Sequence, residues 1–379
     1  VEQMAAQVFD PDVLPQIRFF PTLPPDHHRA VIQELRRVEK QMGQNTRLRQ
    51  ELRNLLYNVA LQQRLEEALD SQTVHFIYER YTLFHAAGIA VARRLGVPHL
   101  LEVNAPLAEE QKRMRGLELE ELAVASENWI WQNTDRLLVV SRQLAALAEQ
   151  RGVAPEKITV VPNGINPDRF NEAATGQLVR EHWRLVDTRV IGFVGSLKNW
   201  HGTRTLVEAF AGLTGEFPEA RLLIVGDGPE KTVLQDLVRS LQLKEKVIFT
   251  GKIPHPQIPE FIAAMDIAVA PYVPQENFYF SPIKIFEYMA AGKAVVAGRI
   301  GQVEEILSHK KTGWLYPPGD VAALAEALRQ LLKNPKFVQS LGQRARRQVL
   351  ENYTWEGNAR RVLAEVQKLQ EAQSMHREG

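Results

Sequence analysis

The chain has 379 residues, 45% of them apolar and 24% charged, with a formal net charge of +1 and no cysteine. That length exceeds one ordinary hydrophobic core, so two domains are expected. The near-zero charge provides no global field for nucleic acid or a membrane, and the lack of cysteine excludes disulfides and thiolate chemistry, as suits a reducing, cytoplasmic setting.

No run of about 18 apolar residues offers a membrane span, and no signal-peptide pattern opens the chain. A first residue of Val1 rather than Met implies that the natural N-terminus is not represented. Residues 8–9 and 17–20 carry short apolar runs that read as the remnant of a strand. Residues 26–69 are almost wholly helical in pattern, with Leu48, Leu52, Leu55 and Val59 at helical spacing and expected to face a core. Between Arg29 and Arg53 seven basic residues (Arg29, Arg36, Arg37, Lys40, Arg47, Arg49 and Arg53) stand against three acidic ones. The plain reading is a solvated helix face; the sharper one is a dock for an anionic acceptor or for the inner face of a membrane.

Strands are expected at 74–78 and 99–103 with a helix over 84–95 between them. A long helix over 112–132 leads to a strand at 137–140, and a helix over 143–151 to one at 158–161. The Pro, Asn and Gly residues of segment 162–167 suit a hinge. From residue 190 the alternation is regular: strands at 190–194, 221–225, 246–250, 266–270 and 294–297, interleaved with helices over 203–213, 230–241, 259–264 and 282–291. Runs of strand length with little polar content match parallel strands covered on both faces. The pattern therefore predicts an α/β protein with two doubly wound, Rossmann-like domains facing a cleft. A last helix over 355–369 trails into a polar tail expected to fray.

In such sheets ligands bind beyond the carboxyl ends of the strands, which singles out four segments. In the stretch 278–296, Pro282 suits a first helical turn, leaving the N–H groups of Ile283 and Lys284 free to hold a phosphate together with the Lys284 charge. Glu287 lies one turn on, placed to hold ribose or sugar hydroxyls. The alternative for this stretch is a capped core helix with a surface Lys-Glu pair. After the strand at 190–194, Gly195 permits close backbone approach, and Lys198 and His201 are within reach of a diphosphate. The turn with Gly226 and Gly228 follows the next strand, where the alternative is a tight βα loop. Lys252 and Ile253 end the third and would lie along a flat base.

These residues carry a resemblance. Val161-Pro-Asn-Gly-Ile-Asn, Phe193-Val-Gly-Ser-Leu, Leu223-Ile-Val-Gly-Asp-Gly-Pro, Lys284-Ile-Phe-Glu-Tyr-Met-Ala-Ala-Gly-Lys and Thr312-Gly-Trp-Leu-Tyr-Pro-Pro-Gly-Asp resemble, in order and spacing, the retaining glycosyltransferase family 4 of the two-domain type B architecture. The resemblance implies an NDP-sugar as co-substrate, UDP or GDP first, bound in a C-terminal donor domain (164–356). It implies an N-terminal acceptor-side domain (1–163) rejoined by the last helix (357–379), with no resident cofactor or metal. It also implies hexosyl transfer, with retention, to a hydroxyl of a saccharide, lipid-linked or small-molecule acceptor.

Within the family pattern Glu287 matches the second glutamate of a pair eight positions apart, and the first falls on Tyr279. Ser196 and His201 occupy the family's phosphate-binding Arg and Lys positions, with Lys198 and Lys284 restoring the two charges. The form resembles a sub-group with Ser281, Pro282, Lys284 and Glu287 as Ser-Pro-x-Lys-x-x-Glu. In the first half, Glu79 and Glu102 are candidates to take the acceptor proton, and Asn104 stands where the family often has a His. The first N-domain strand of the family is expected to precede Val1. Competing readings are a sugar-nucleotide 2-epimerase, a phosphorylase of the same architecture, and a nucleotide-sugar binding module without turnover.

Overall fold

The computed structural model describes residue 18 and residues 22–70, 72–170 and 174–378. The strand remnants expected at 8–9 and 17–20 lie outside the described residues, apart from Arg18. The chain divides into two compact units: unit 1 takes residues up to 139, 144–160 and 363 onward, and unit 2 takes 140–143 and 161–362.

Unit 1 runs α1 (Asp26–Gln41), α2 (Leu48–Leu69), β1 (Ile77–Arg80), α3 (Ala87–Leu95), β2 (His99–Val103), α4 (Leu107–Arg115), α5 (Glu120–Asn133), β3 (Arg136–Val139), α6 (Arg142–Gln150) and β4 (Ile158–Val160). The four strands are parallel, in the order β1-β2-β3-β4.

Three expectations change here. The long helix over 112–132 is two helices, because Glu51 of α2 caps the second: its carboxylate accepts from Glu118 N at 2.9 Å and Leu119 N at 2.7 Å, just ahead of α5. The inward face of α2 is accordingly not its leucine row. Glu51 is 2% exposed while Val59 is 47% exposed, and Leu48, Leu52 and Leu55 are half-buried. Asn58, two turns beyond Glu51 on the same face, accepts from Ala86 N and Ala87 N at the start of α3. So α2 is held inward by two polar side chains that satisfy other helices' orphan donors. Third, β1 begins three residues later than expected, which puts Glu79 inside the strand.

Unit 2 runs α7 (Gln177–His182), β5 (Arg189–Val194), α8 (Thr203–Ala211), β6 (Ala220–Val225), α9 (Lys231–Ser240), β7 (Val247–Gly251), α10 (Ile258–Ala263), β8 (Ile267–Ala270), α11 (Ile283–Ala290), β9 (Ala294–Gly298), α12 (Val303–Ile306), β10 (Trp314–Tyr316), α13 (Val321–Lys333) and α14 (Pro335–Asn352). The last helix, α15 (Trp355–Glu378), continues well past the expected 369. Six parallel strands lie in the order β10-β9-β8-β5-β6-β7. Apolar layers cover both faces: Phe261, Phe286 and Met289 belong to one, Phe210, Leu234 and Leu328 to the other.

The chain winds outward from β5 to β7, then returns to β8 on the other side of β5. The switch point thus falls between β5 and β8, where a doubly wound sheet opens a crevice at its carboxyl ends. The register shows the opening directly, since β5 pairs with β8 only at Ile191 and Gly192. The expected hinge segment is anchored within unit 2. Ile165 N donates to Tyr353 O at 2.9 Å, Trp355 N donates to Ile165 O at 3.1 Å, and Asn163 N donates to Ser281 Oγ at 2.9 Å.

Glu51→Ala leaves two backbone donors without their acceptor, so unit 1 should lose about 1–3 kcal/mol. Urea unfolding followed by circular dichroism checks this, and an unchanged midpoint would refute the capping role.

Candidate active site

The turns after β5, β6 and β7, on the β5 side of the switch point, are laced together. Gly195 follows β5 with φ of 151°, and Gly226 follows β6 with φ of 140°, angles that favour glycine. Gly195 N donates to Val225 O at 2.9 Å, and Gly226 N to Gly251 O at 3.0 Å. A Cβ at Gly226 would overlap the Gly195 carbonyl oxygen. The Gly226 turn is therefore packed against a neighbouring βα turn and shapes the floor on which Gly195 sits.

Above Gly195 stands Lys284. Its Nζ lies 4.4 Å from the Phe193 ring centroid and 5.3 Å from that of Tyr272, and a Cβ on Gly195 would come within 2.8 Å of it. The Nζ is buried without a hydrogen-bond partner among the described residues. Cation–π attraction to two rings offsets only part of the lost hydration. Burial brings Lys284 down to about 7, with Glu287 opposing the shift.

Lys284 is positioned by α11. Val194 N, at the end of β5 and beyond the pairing with β8, donates instead to Tyr288 Oη at 2.7 Å. The Tyr288 hydroxyl replaces the departed strand neighbour and pins α11 to the tip of β5. Burial and nearby charge hold its phenol protonated, well above the ordinary tyrosine range. The helix begins at Ile283, with Pro282 as its N-cap residue, one step later than expected. The first N–H groups, those of Ile283 and Lys284, have no acceptor within the helix. Ser281 does not reach into the site, because its Oγ and carbonyl are both taken by Asn163, at 2.9 and 3.1 Å. It fixes the turn before the helix.

Glu287 is 9% exposed and pairs with His255 rather than Lys284, Nε2 to Oε1 at 3.4 Å. This disposes of the surface Lys-Glu pair. Arg169 donates to His255 Nδ1 at 3.0 Å and to the His255 carbonyl at 2.8 Å, so Nδ1 is the acceptor and Nε2 carries the proton toward Glu287. Burial pushes the Glu287 carboxyl up, against the pull of His255, Arg169 and Lys284. Arg169, His255 and Tyr288 have no signature in local spacing; the Pro254-His255-Pro256 turn was the one visible trace of a fixed side chain.

The remaining expected residues fall as follows. His201 Nδ1 lies 2.5 Å from the Ser196 carbonyl and 3.3 Å from Ser196 Oγ; facing a carbonyl, that nitrogen carries the proton. Burial, with Lys284 and Lys198 nearby, lowers His201 to about 4, so it is a neutral group, and the charges at this turn are those of the lysines. Lys198 is exposed, its Nζ 4.6 Å from the Trp200 ring centroid. Lys252 is exposed, and Ile253 packs half-buried against the core. Tyr279 is 3% exposed and stacks on Phe280, so its side chain offers no open contact.

In unit 1, Glu79 departs from expectation. It points from mid-strand toward His99, Oε2 to Nε2 at 3.1 Å, and His99 Nδ1 meets Thr134 Oγ1 at 2.9 Å, a buried polar chain rather than an open carboxylate. At the β2 end, Asn104 donates to Glu102 Oε1 at 2.6 Å, and Tyr78 Oη donates to the other Glu102 oxygen.

Gly226→Ala should cost about 1–3 kcal/mol from backbone strain alone. Gly212→Ala, where a Cβ meets nothing nearer than 3.6 Å, should stay within about 0.5 kcal/mol. Thermal midpoints of the two variants check the contrast.

Residues 178–348 match the family model for glycosyl transferases group 1, and residues 2–169 match that for glycosyltransferase family 4. The chain is 30% identical over 256 residues to 2-deoxystreptamine glucosyltransferase of Streptomyces kanamyceticus, a match spanning 66% of this chain and 65% of that protein. It is 24% identical over 305 residues to N-acetyl-alpha-D-glucosaminyl L-malate synthase of Bacillus anthracis, 78% of this chain and 75% of the other. Among solved structures, Anabaena HepE in complex with UDP superposes with a TM-score of 0.68 at 18% identity over 82% of each chain. Sucrose-phosphate synthase of Thermosynechococcus elongatus does so with 0.66 at 24% identity, over 83% of this chain and 79% of that one. The sheet order of unit 2, its switch-point lysine and these matches agree, and the chain belongs to the group 1 and family 4 glycosyltransferases.

Proposed function

We propose that the protein transfers a hexosyl group from an NDP-sugar to an acceptor hydroxyl with retention of configuration, the donor diphosphate lying at the head of α11. The observation that carries this is the Lys284 ammonium, buried over Gly195 with no partner of its own. A buried cation without a counter-ion is costly, and an anion supplied by the ligand removes that cost. The helix that carries Lys284 begins at Ile283, and the free N–H groups of a helix N-terminus favour phosphate.

In the reaction the bond from the anomeric carbon to the diphosphate oxygen breaks, and a bond to the acceptor oxygen forms on the same face. The leaving diphosphate gains negative charge, which Lys284 and the helix N-terminus stabilise in place. Glu287, held by His255 and Arg169, is assigned to the donor's ribose hydroxyls. Ser281-Pro282-x-Lys284-x-x-Glu287 is the sub-group form in which lysines supply the phosphate charges. His201 contributes a neutral Nε2 acceptor, and Lys198 an outer charge. Of the two carboxylates considered for taking the acceptor proton, Glu79 is engaged by His99, which leaves Glu102, held by Asn104 and Tyr78. UDP is the first base to test, since HepE is described with UDP and with UDP-glucose. Retention rests on the family resemblance.

UDP-, GDP-, ADP- and dTDP-sugars screened for thermal stabilisation identify the donor, and the anomeric proton coupling of the product reports the configuration. No stabilisation by any of them, or an inverted product, would overturn the reading. Lys284→Ala should lower turnover by about 10²–10³; a rate near wild type would remove Lys284 from the mechanism.

A pH dependence follows. The free lysine titrates near about 7, while a bound diphosphate favours its charged form, so binding above that pH requires proton uptake. Affinity for UDP should fall as pH rises from about 7.5 to 9.5, by at most about tenfold per unit, a window above the terminal phosphate's own ionisation near about 6. Calorimetric titrations across that range check the slope, which should vanish in Lys284→Ala.

A further inference from the structure

The helical hairpin at the start of unit 1 encloses a cavity of about 280 Å³ that the donor site does not account for. Two facing rows build it. His28, Ile32 and Arg36 recur every fourth residue on α1, with Arg29 beside them; Arg49, Arg53, Leu56 and Tyr57 line the α2 side. Four guanidinium groups line the space and no carboxylate does, among the described residues. Arg29 and Arg49 are partly neutralised from outside it, by Asp26 at 3.5 Å and by Glu39. Arg36 and Arg53 form no ion pair among the described residues, and Arg53 meets only Gln50.

A second observation is independent of the arginines. His28 lines the same cavity, is 7% exposed, and its Nδ1 is buried without a hydrogen-bond partner among the described residues. Buried polar nitrogens are ordinarily satisfied. The residue that carries it stands in the cavity wall, next to Arg29 and one turn from Ile32. Ile32, Leu56 and Tyr57 supply an apolar wall.

We propose that this cavity is a binding site for a phosphate monoester carried on a small apolar or aromatic body. Guanidinium forks match phosphate oxygens bidentately, and a dianion answers the excess of positive charge better than one carboxylate. The volume lies near the lower end of the range for small-molecule sites. The apolar wall calls for a body beyond the phosphate itself. The same chemistry occurs on a soluble metabolite and on a lipid headgroup, and the site is separate in sequence and in unit from Lys284.

Phenyl phosphate, inorganic phosphate and phenol titrated calorimetrically into wild type, Arg36→Gln/Arg53→Gln and Lys284→Ala test this. Phenyl phosphate should bind wild type and Lys284→Ala alike, about tenfold or more tighter than either fragment. The double arginine variant, both of whose changed side chains are exposed and so compatible with an intact fold, should lose about tenfold or more of that affinity. Binding that survives the double variant overturns the proposal, and so does binding that disappears in Lys284→Ala, which would place the ligand at the donor site. Cosedimentation with phosphatidic acid vesicles against phosphatidylcholine vesicles then separates the sources. Retention on phosphatidic acid that phenyl phosphate reverses assigns the site to a lipid headgroup, binding of phenyl phosphate without such retention assigns it to a soluble ester, and the absence of both overturns the site.

Discussion

The architecture of unit 2 converges on one unfavourable placement, an ammonium brought out of water and left without a hydrogen-bond acceptor. Lys284 keeps its position because its alternatives are closed. Phe193 and Tyr272 flank the Nζ, Gly195 leaves no Cβ to displace it, and Glu287 is turned toward His255. The effective penalty for burying such an ion is several kcal/mol, and the protein moderates it by lowering the proton affinity of the lysine. A group in that condition is poised: it is only partly charged near neutral pH when the site is empty and gains charge when an anion arrives.

That placement is possible because β5 and β8 part company. Parallel strands that remained paired to their ends would close the crevice and satisfy Val194 themselves. Instead the pairing stops at Gly192, and a hydroxyl from α11 takes over the backbone group at Val194. The same bond that repairs the sheet therefore sets the height and rotation of the helix bearing Lys284 and Glu287. Asn163 does the corresponding work on the other side, binding Ser281 through main chain and side chain. Preorganisation of this kind is what electrostatic stabilisation requires, because dipoles already aimed need no rearrangement as charge develops.

How much of this is legible in the sequence depends on whether the determining contact is local. The alternation of apolar runs and helices foretold the sheet of unit 2, because burial on both faces writes itself into consecutive residues. The placement of Lys284 and Glu287 one turn apart on a helix was readable because Pro282, the N-cap, stands just before them. Tyr288 was not, although it is their neighbour, because its partner is a strand end 94 residues earlier. The inward-facing roles of Glu51 and Asn58 were not readable for the same reason. Helical periodicity ranks faces by hydrophobicity, and here the inward face is chosen by two polar groups that cap helices elsewhere. For Glu79, a strand placed three residues early moved a mid-strand residue into the loop beyond the strand end and so turned a buried partner of His99 into an apparently open carboxylate.

The formal charge of +1 illustrates why bulk composition is a poor guide to anion chemistry. It averages over a lysine in unit 2 and a pair of arginines in unit 1 that have no ion-pair partner among the described residues. Many of the other basic residues are paired on the surface, such as Lys333 and Arg329 with Glu216, where ion pairs contribute little. What distinguishes the informative cations is the lack of a carboxylate where one would fit. At Lys284 that vacancy is flanked by aromatic rings and a glycine turn; at Arg36 and Arg53 it opens onto an apolar wall and an unsatisfied histidine. Because the two lie in different units and have different linings, they call for ligands of different shape, a flat diphosphate ester in one and a compact phosphate ester in the other.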